Sequence, residues 1–294
     1  PPLGVARPAS TAEVAALMAA THAAGVSVVP QGGNTGLCGA AVAGAAGGVI
    51  LNLGRMAAME PPDLAGGRIA VEAGVILARL HDALDGTGQM FPLHLGAEGS
   101  AQIGGLIGTN AGGSQAFRYG MMQDLVLGLE VVLPDGAVWD GLRGVQKDNA
   151  GYQLRKLFCG AEGTLGVVTR AVLRLHAAPR QRVTALLALP SFEAAVEFGA
   201  DIRAEAGEFV QAMEFFSETG LGLALHHVSG LTWPLESRAA AYLLLELGSG
   251  SARVPLDDIM SALLEQGIEQ GRIIDGALAA SEAQRSEERR VGKE

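Results

Sequence analysis

Two glycine-rich segments carry the residues best suited to chemistry. The first, Pro30-Gln31-Gly32-Gly33-Asn34-Thr35-Gly36, belongs to a stretch with seven glycines among residues 30 to 48. The second runs from Gly96 to Gly113 and holds seven glycines in eighteen residues. Glycine lets backbone approach a ligand closely and adopt positive φ, so successive N–H groups can converge on one anion. Lys and Arg are absent from residues 8 to 54 and again from 80 to 117. A pyrophosphate held here would therefore rest on backbone amides, on the side chains of Asn34, Thr35, Ser100 and Thr109, and on any helix N-terminus. No lysine clamp is available. The other reading of the same glycines is tight turns and close packing of small residues.

Better-known cradles are excluded by inspection. The chain has no G-x-G-x-x-G and no G-x-x-x-x-G-K-[ST], and H-E-x-x-H and G-x-S-x-G are absent as well. Cys38 and Cys159 are the only cysteines, with no C-x-x-C and no His at ligand spacing to them, so neither a disulfide framework nor a zinc module is indicated. A net charge of −10 and an aromatic content of 4% argue against nucleic acid as a partner.

Several single residues invite a functional role beside a bland one. His226-His227 is the one adjacent histidine pair, without an acidic residue at ligand spacing, and reads as loop or surface. His94 stands close in sequence to the second glycine segment, as a structural or a ligand-contacting group. Lys147 is one of three lysines and either acts electrostatically or holds its own loop, while Arg118 either meets a carboxylate or fixes a turn. Cys159 reads as core.

The elements that position these segments follow from patterning. At a usual ~100 to 200 residues per domain, 294 residues predict about two domains. Ser10-Thr11-Ala12-Glu13 is a capping box that opens a helix ending at Gly25. Val26–Val29, broken by Pro30, and Gly48–Leu53 are strand candidates, so the first glycine loop lies between two strands. Residues 68–72 read as a strand, 76–84 as a helix, 125–138 as a hairpin turning at Pro134-Asp135-Gly136, and 166–175 as a further strand. After Pro179 the chain alternates between strands (183–189, 213–216, 241–247) and helices (192–206, one near Glu236, 256–266), which predicts a second α+β unit. Residues 282 to 294 hold eight charged residues in thirteen, the pattern of a solvated end or of an abrupt truncation followed by foreign sequence. The apolar run Gly36–Leu51 is mostly Ala and Gly, too weakly partitioning for a membrane span.

Taken together, Pro30–Gly36, Gly99-Ser100, Ile103-Gly104-Gly105, Thr109–Gly113, Arg118-Tyr119-Gly120, Lys147–Tyr152 and Glu162–Gly166 resemble the FAD-linked oxidases, whose FAD-binding fold is shared with p-cresol methylhydroxylase and vanillyl-alcohol oxidase. Within that family the chain is most similar to the D-2-hydroxy-acid dehydrogenases acting on D-lactate, glycolate or D-2-hydroxyglutarate. The resemblance extends to about residue 280, and the order of the motifs makes it specific.

The resemblance implies an α+β chain: a two-subdomain FAD-binding domain over residues 1–179, a partial substrate domain over 180–281, and a charged, disordered or non-native tail over 282–294. It implies that Pro30, Gln31, Gly32, Gly33, Asn34, Thr35 and Gly36 wrap the FAD pyrophosphate. Pro92, Gly99, Ser100, Gly104, Gly105, Asn110, Gly112 and Gly113 would form a second wall, and Glu162, Gly163, Gly166 and Val168 would close over the cofactor. Covalently flavinylated members carry His where this chain has Asn34, which implies dissociable FAD. The implied reaction oxidises a D-2-hydroxy acid to the 2-oxo acid by hydride transfer to flavin, with an electron acceptor left unidentified. In relatives the catalytic groups, some of which bind a divalent metal, come from a later part of the substrate domain, so the catalytic residues of this chain are left unassigned and truncation is the expectation. A non-catalytic flavin-binding or electron-transfer subunit is the alternative, and within enzymes an enolpyruvyl sugar reductase or an alditol or cytokinin oxidase. A cytoplasmic location, no membrane span and no nucleic-acid partner are expected, and a homodimer is left open.

Overall fold

The computed structural model describes residues 1–44, 47–229 and 235–279. The charged tail expected over 282–294 lies outside them. The chain divides into two compact units, one of residues 1–113 with 119–177, the other of residues 114–118 with those from Ala178 on.

In the first unit, β1 (Gly4–Ala6), α1 (Thr11–Ala23), β2 (Val28–Gln31) and β3 (Val49–Asn52) form a parallel three-stranded sheet, order β1-β3-β2, with its helix. Ser10 Oγ accepts the Glu13 N–H at 3.2 Å, and the Glu13 carboxylate accepts the Ala9 N–H at 2.8 Å, so the start of α1 is satisfied from both sides. Val14 and Met18 bury its inner face. The strand expected to break at Pro30 instead runs through it to Gln31. It is an edge strand, where a missing N–H costs no ladder bond.

Next in chain order come β4 (Arg68–Glu72), α2 (Leu77–Leu84), β5 (Gln89–Met90), α3 (Ile103–Gly108), α4 (Ala116–Tyr119), which falls mostly in the second unit, α5 (Met122–Leu125), β6 (Val126–Val132), β7 (Val138–Gly141), α6 (Arg155–Phe158), β8 (Val167–Arg174) and β9 (His176–Ala177). Four of them make an antiparallel sheet in the order β4-β8-β6-β7, and β5 pairs with β9. The expected hairpin closes where Val132 faces Val138 and the Leu133 N–H reaches the Ala137 carbonyl at 2.8 Å. One apolar core joins α1 and β3 to α2, α3 and the inner residues of β4, β6 and β8. The β6 and β8 strands are buried along most of their length, β6 at every position but Glu130 and β8 at every position but Arg170 and Arg174.

The second unit is an antiparallel sheet of β10 (Gln181–Leu189), β11 (Val210–Ser217), β12 (Ala241–Ser249) and β13 (Asp275–Leu278), in the order β11-β12-β10-β13. Alternate residues of β10 and β12 face opposite ways. Ala185, Leu187, Leu243 and Leu245 meet α7 (Phe192–Ala206) and α9 (Leu256–Glu269), while Leu186, Leu244 and Tyr242 meet α8 (Glu218–His227). The helix expected near Glu236 is not there: described residues 235–240 are non-helical, and the helix is α8, eighteen positions earlier at its start. Gly220 and Gly222 masked its helical signal. Its start is nevertheless capped, Ser217 Oγ accepting the Gly220 N–H at 3.1 Å.

Among the described residues no helix is long and apolar enough to cross a membrane.

Candidate functional site

Three stretches of the first unit converge on one cleft of about 450 Å³, within the size range of cofactor sites. The loop leaving β2 supplies Pro30 through Ala41 in part. The second glycine segment and the residue before it supply Leu95, Ala97, Gln102 just ahead of α3, and Gly104 and Gly105 within α3. The approach to β8 supplies Phe158, Glu162, Gly163, Gly166 and Val168.

Close backbone contacts weld the stretches together. A Cβ at Gly33 would lie 1.9 Å from the Ser100 carbonyl oxygen, so only glycine lets the first loop meet the second segment. Gly163, at φ +78°, presses on Pro30, where a Cβ would come within 2.7 Å of the ring. Gln31 Nε2 donates to the Ala41 carbonyl at 3.0 Å and folds the loop back on its own strand. The Gly104 N–H donates to Ala73 O at 2.7 Å, and the Glu162 N–H to Gly108 O at 2.9 Å, fixing the second and third walls.

The chemistry of the lining is distinctive. Among the described residues it contains no Lys, Arg or His, and Glu162 is the one carboxylate. Polar groups come from Gln31, Asn34, Thr35, Gln102 and Thr109 among many Gly, Ala, Leu and Val side chains. Gln102 leaves its Oε1 buried without a hydrogen-bond partner. An orphaned buried acceptor beside a roomy cleft is what a ligand hydroxyl or N–H would satisfy.

Of the residues expected from sequence, Pro30, Gln31, Gly32, Gly33, Asn34, Thr35, Gly36, Gly104, Gly105, Glu162, Gly163, Gly166 and Val168 line this cleft. Pro92, Gly99, Ser100, Asn110, Gly112 and Gly113 stand outside the lining. Several of them buttress the loops instead: Ser100 through its carbonyl against Gly33, Asn110 by accepting the Gln123 N–H at 2.9 Å, and Gly113 by packing on the His94 carbonyl. Sequence reasoning missed Gln102, Leu53, Ala73 and Phe158, which carry no motif and enter the lining only through the fold.

None of the isolated candidates is among the described residues that line the cleft. Arg118 donates to the backbone carbonyls of Glu208 and Val210. Lys147 is exposed, and in its loop the Asp148 carboxylate accepts the Ala150 N–H at 3.0 Å and lies 3.4 Å from Arg143. His226 and His227 sit exposed at the end of α8. Cys159 is half-buried, and burial pushes its thiol up to about 11.

With this geometry in hand, comparison with known proteins is decisive. A family model described as an FAD binding domain matches residues 2–141, and one described as the C-terminal domain of FAD linked oxidases matches residues 178–293. The chain belongs to the FAD-linked oxidases. FAD is the cofactor of the matched domain. This FAD-linked oxidase is 37% identical over 272 residues to the mitochondrial D-2-hydroxyglutarate dehydrogenase of Arabidopsis thaliana, covering 92% of the chain and 48% of the relative. It is also 37% identical over 283 residues to a D-2-hydroxyglutarate dehydrogenase of Xanthomonas citri, with coverage of 96% and 58%. The chain thus spans about half the length of the curated relatives it matches. Among solved structures, alkyldihydroxyacetonephosphate synthase superposes with a TM-score of 0.76 at 19% identity, over 97% of this chain and 53% of that one, which shows the shared fold. The expected cytoplasmic location is corrected by these comparisons, because several curated relatives, the Arabidopsis protein among them, are named as mitochondrial. Charge and composition carried no information on compartment.

Proposed function

We propose that the cleft holds FAD non-covalently and that the chain is part of a dehydrogenase for D-2-hydroxy acids. Residues 1–179 form the flavin domain in this reading, and 180–281 the first part of the substrate domain. The backbone of Pro30–Gly36 takes the diphosphate. Gly104, Gly105 and Gln102 wall the ribityl chain and ring, and Glu162, Gly163, Gly166 and Val168 close the site. Pro92, Gly99, Ser100, Asn110, Gly112 and Gly113 belong to the supporting shell behind that wall. The observation that carries the reading is the meeting of both glycine segments and the Glu162–Val168 stretch in one cleft whose described lining holds no cation.

Bound FAD supplies a two-electron acceptor for the hydride of a carbinol carbon. The protein groups around it bind, orient and exclude water. Amide donors serve a diphosphate without lysine or arginine, and the apolar lining suits a flat aromatic ring. Asn34 at the position of the histidine in covalently flavinylated relatives leaves the cofactor dissociable. Among the described residues no His, Lys or Arg lines the cleft, so the described lining does not itself supply a group to take the hydroxyl proton or the substrate carboxylate.

Purification followed by an absorption spectrum tests the proposal. Near-UV and blue flavin bands that acid precipitation releases into the supernatant support it, and anaerobic bleaching by D-2-hydroxyglutarate or D-lactate supports the reaction class. A folded, colourless chain that takes up no added FAD overturns the binding site. A flavin-loaded chain that no D-2-hydroxy acid bleaches favours the non-catalytic flavin-binding reading.

A further inference from the structure

Outside the cleft, His81, His94 and Glu98 bring three metal-ligating side chains together, with one donor atom of each lying within 4.8 Å of the others. His81 belongs to α2, while His94 and Glu98 lie in the loop between β5 and α3. Glu98 Oε2 stands 3.2 Å from His94 Nδ1 and 3.8 Å from His81 Nδ1. The two imidazole rings lie with centroids 4.4 Å apart, inclined at 42°. Donors held at zinc bond lengths in a tetrahedron are spaced by roughly 3.3 Å, so the two measured separations fall close to one coordination sphere.

Hydrogen bonding among the three explains the cluster less well. One carboxylate oxygen serves His94 at bonding distance, but 3.8 Å is too long for a hydrogen bond to His81. His81 Nε2 is buried with no hydrogen-bond partner of acceptable geometry. His81 Nδ1, which faces Glu98 without a hydrogen bond to it, is the nitrogen placed to give a lone pair to a cation.

We propose that His81, His94 and Glu98 form a binding site for a divalent transition-metal ion, zinc by preference. Two imidazole nitrogens and one carboxylate oxygen suit a borderline ion better than magnesium or calcium, and three protein ligands leave a fourth position for water. The ion ties α2 to the loop that follows β5, where the Ala78 N–H already donates to Glu98 O at 3.0 Å. Leu95 and Ala97, between two of the ligands, line the cleft described above. The site therefore braces one wall of that cleft from outside it. The inference stands on these three residues and does not depend on the proposed reaction.

The test is calorimetric titration of Zn²⁺ into the full chain after EDTA treatment and dialysis, at the same flavin load in every sample. Wild type is expected to take up one equivalent through this site and to melt at a higher temperature with Zn²⁺ present. His94→Gln and Glu98→Gln, both conservative changes at partly exposed positions, should lose that uptake or weaken it by at least about 10-fold, the low end of what losing even an outer-shell partner costs. Glu98→Gln should also lose the thermal shift, while circular dichroism shows the fold intact. The His226→Ala/His227→Ala double variant should bind as wild type does. Absence of Zn²⁺ uptake by wild type, or unchanged affinity in both His94→Gln and Glu98→Gln, overturns the proposal.

Discussion

Gly33 meets Ser100 so closely that a Cβ on the glycine would lie 1.9 Å from the serine's carbonyl oxygen. Backbone cannot yield to a side chain at that distance, so the contact fixes how the two glycine segments share one cleft. Gly33→Ala is expected to push the first loop off the second, with an overpacking cost of about 1–3 kcal/mol. FAD affinity, followed by flavin fluorescence, should fall by at least about 10-fold, or about 1.4 kcal/mol. Wild-type affinity together with an unchanged melting temperature would show that the two loops are not coupled in this way.

That contact also shows what the sequence made legible and what it did not. Glycine density and the absence of cations marked both loops as candidates for a cradle, but nothing local said that Gly33 faces Ser100 rather than solvent. The same limit explains the residues that dropped out of the lining. Ser100, Asn110 and Gly113 lie inside the motif, yet they spend their polar or close-packing capacity on neighbouring backbone. Gln102 was invisible for the opposite reason: a lone Gln has no signature until a fold buries it. Strand and helix positions with unbroken patterning, such as α7 and the β6–β7 hairpin, were readable, whereas α8 was hidden by its two glycines and β13 by its short, mixed sequence. His81 lies thirteen residues before His94, a spacing that only the turn from α2 through β5 converts into a cluster.

Thr169 is fully buried in β8, and its hydroxyl donates to Glu130 Oε1 at 2.7 Å, the same oxygen that accepts Thr11 Oγ1 at 2.6 Å. One carboxylate thus ties α1 to two neighbouring strands. Thr169→Val keeps the shape but removes a donor to a charged acceptor, and the expected loss is about 1.5–3 kcal/mol. Urea denaturation should show a lower midpoint with an unchanged slope. A midpoint equal to that of wild type would mean that the Thr11 bond alone satisfies Glu130.

His81 gives the metal-free protein a defined acid sensitivity. Burial, reinforced by neighbouring His94, pushes its imidazole down to about 4, while Glu98, the Phe91 carbonyl and Asp82 pull weakly the other way. The ordinary value in an unfolded chain is 6.5. Between the two the unfolded chain binds the extra proton, so stability is complete above 6.5, falls as pH drops towards 4, and loses nothing more from this group below that. The steepest slope available to one such group is about 1.4 kcal/mol per pH unit. Denaturant midpoints measured in EDTA at pH 7.5, 6 and 5 should fall for wild type and flatten in His81→Leu. Parallel pH profiles for the two proteins would remove His81 as the cause.

The two cysteines report independently on the cleft. Cys38 is exposed and contributes to its lining, whereas Cys159 is half-buried, with its thiol raised to about 11 by burial against the opposing pull of Arg155 and Lys156. Alkylation proceeds through the thiolate, and at pH 8 a thiol with that value is ionised in roughly one molecule in a thousand. Iodoacetamide should therefore label Cys38 first, by at least about 10-fold in rate, with Cys159 following only on unfolding. Because Cys38 borders the space assigned to FAD, saturating flavin should slow its labelling and leave Cys159 unaffected. Peptide mass spectrometry of samples quenched over time separates the two sites. Equal labelling of Cys38 with and without bound flavin would place the cofactor away from the loop after β2, even if the protein is yellow.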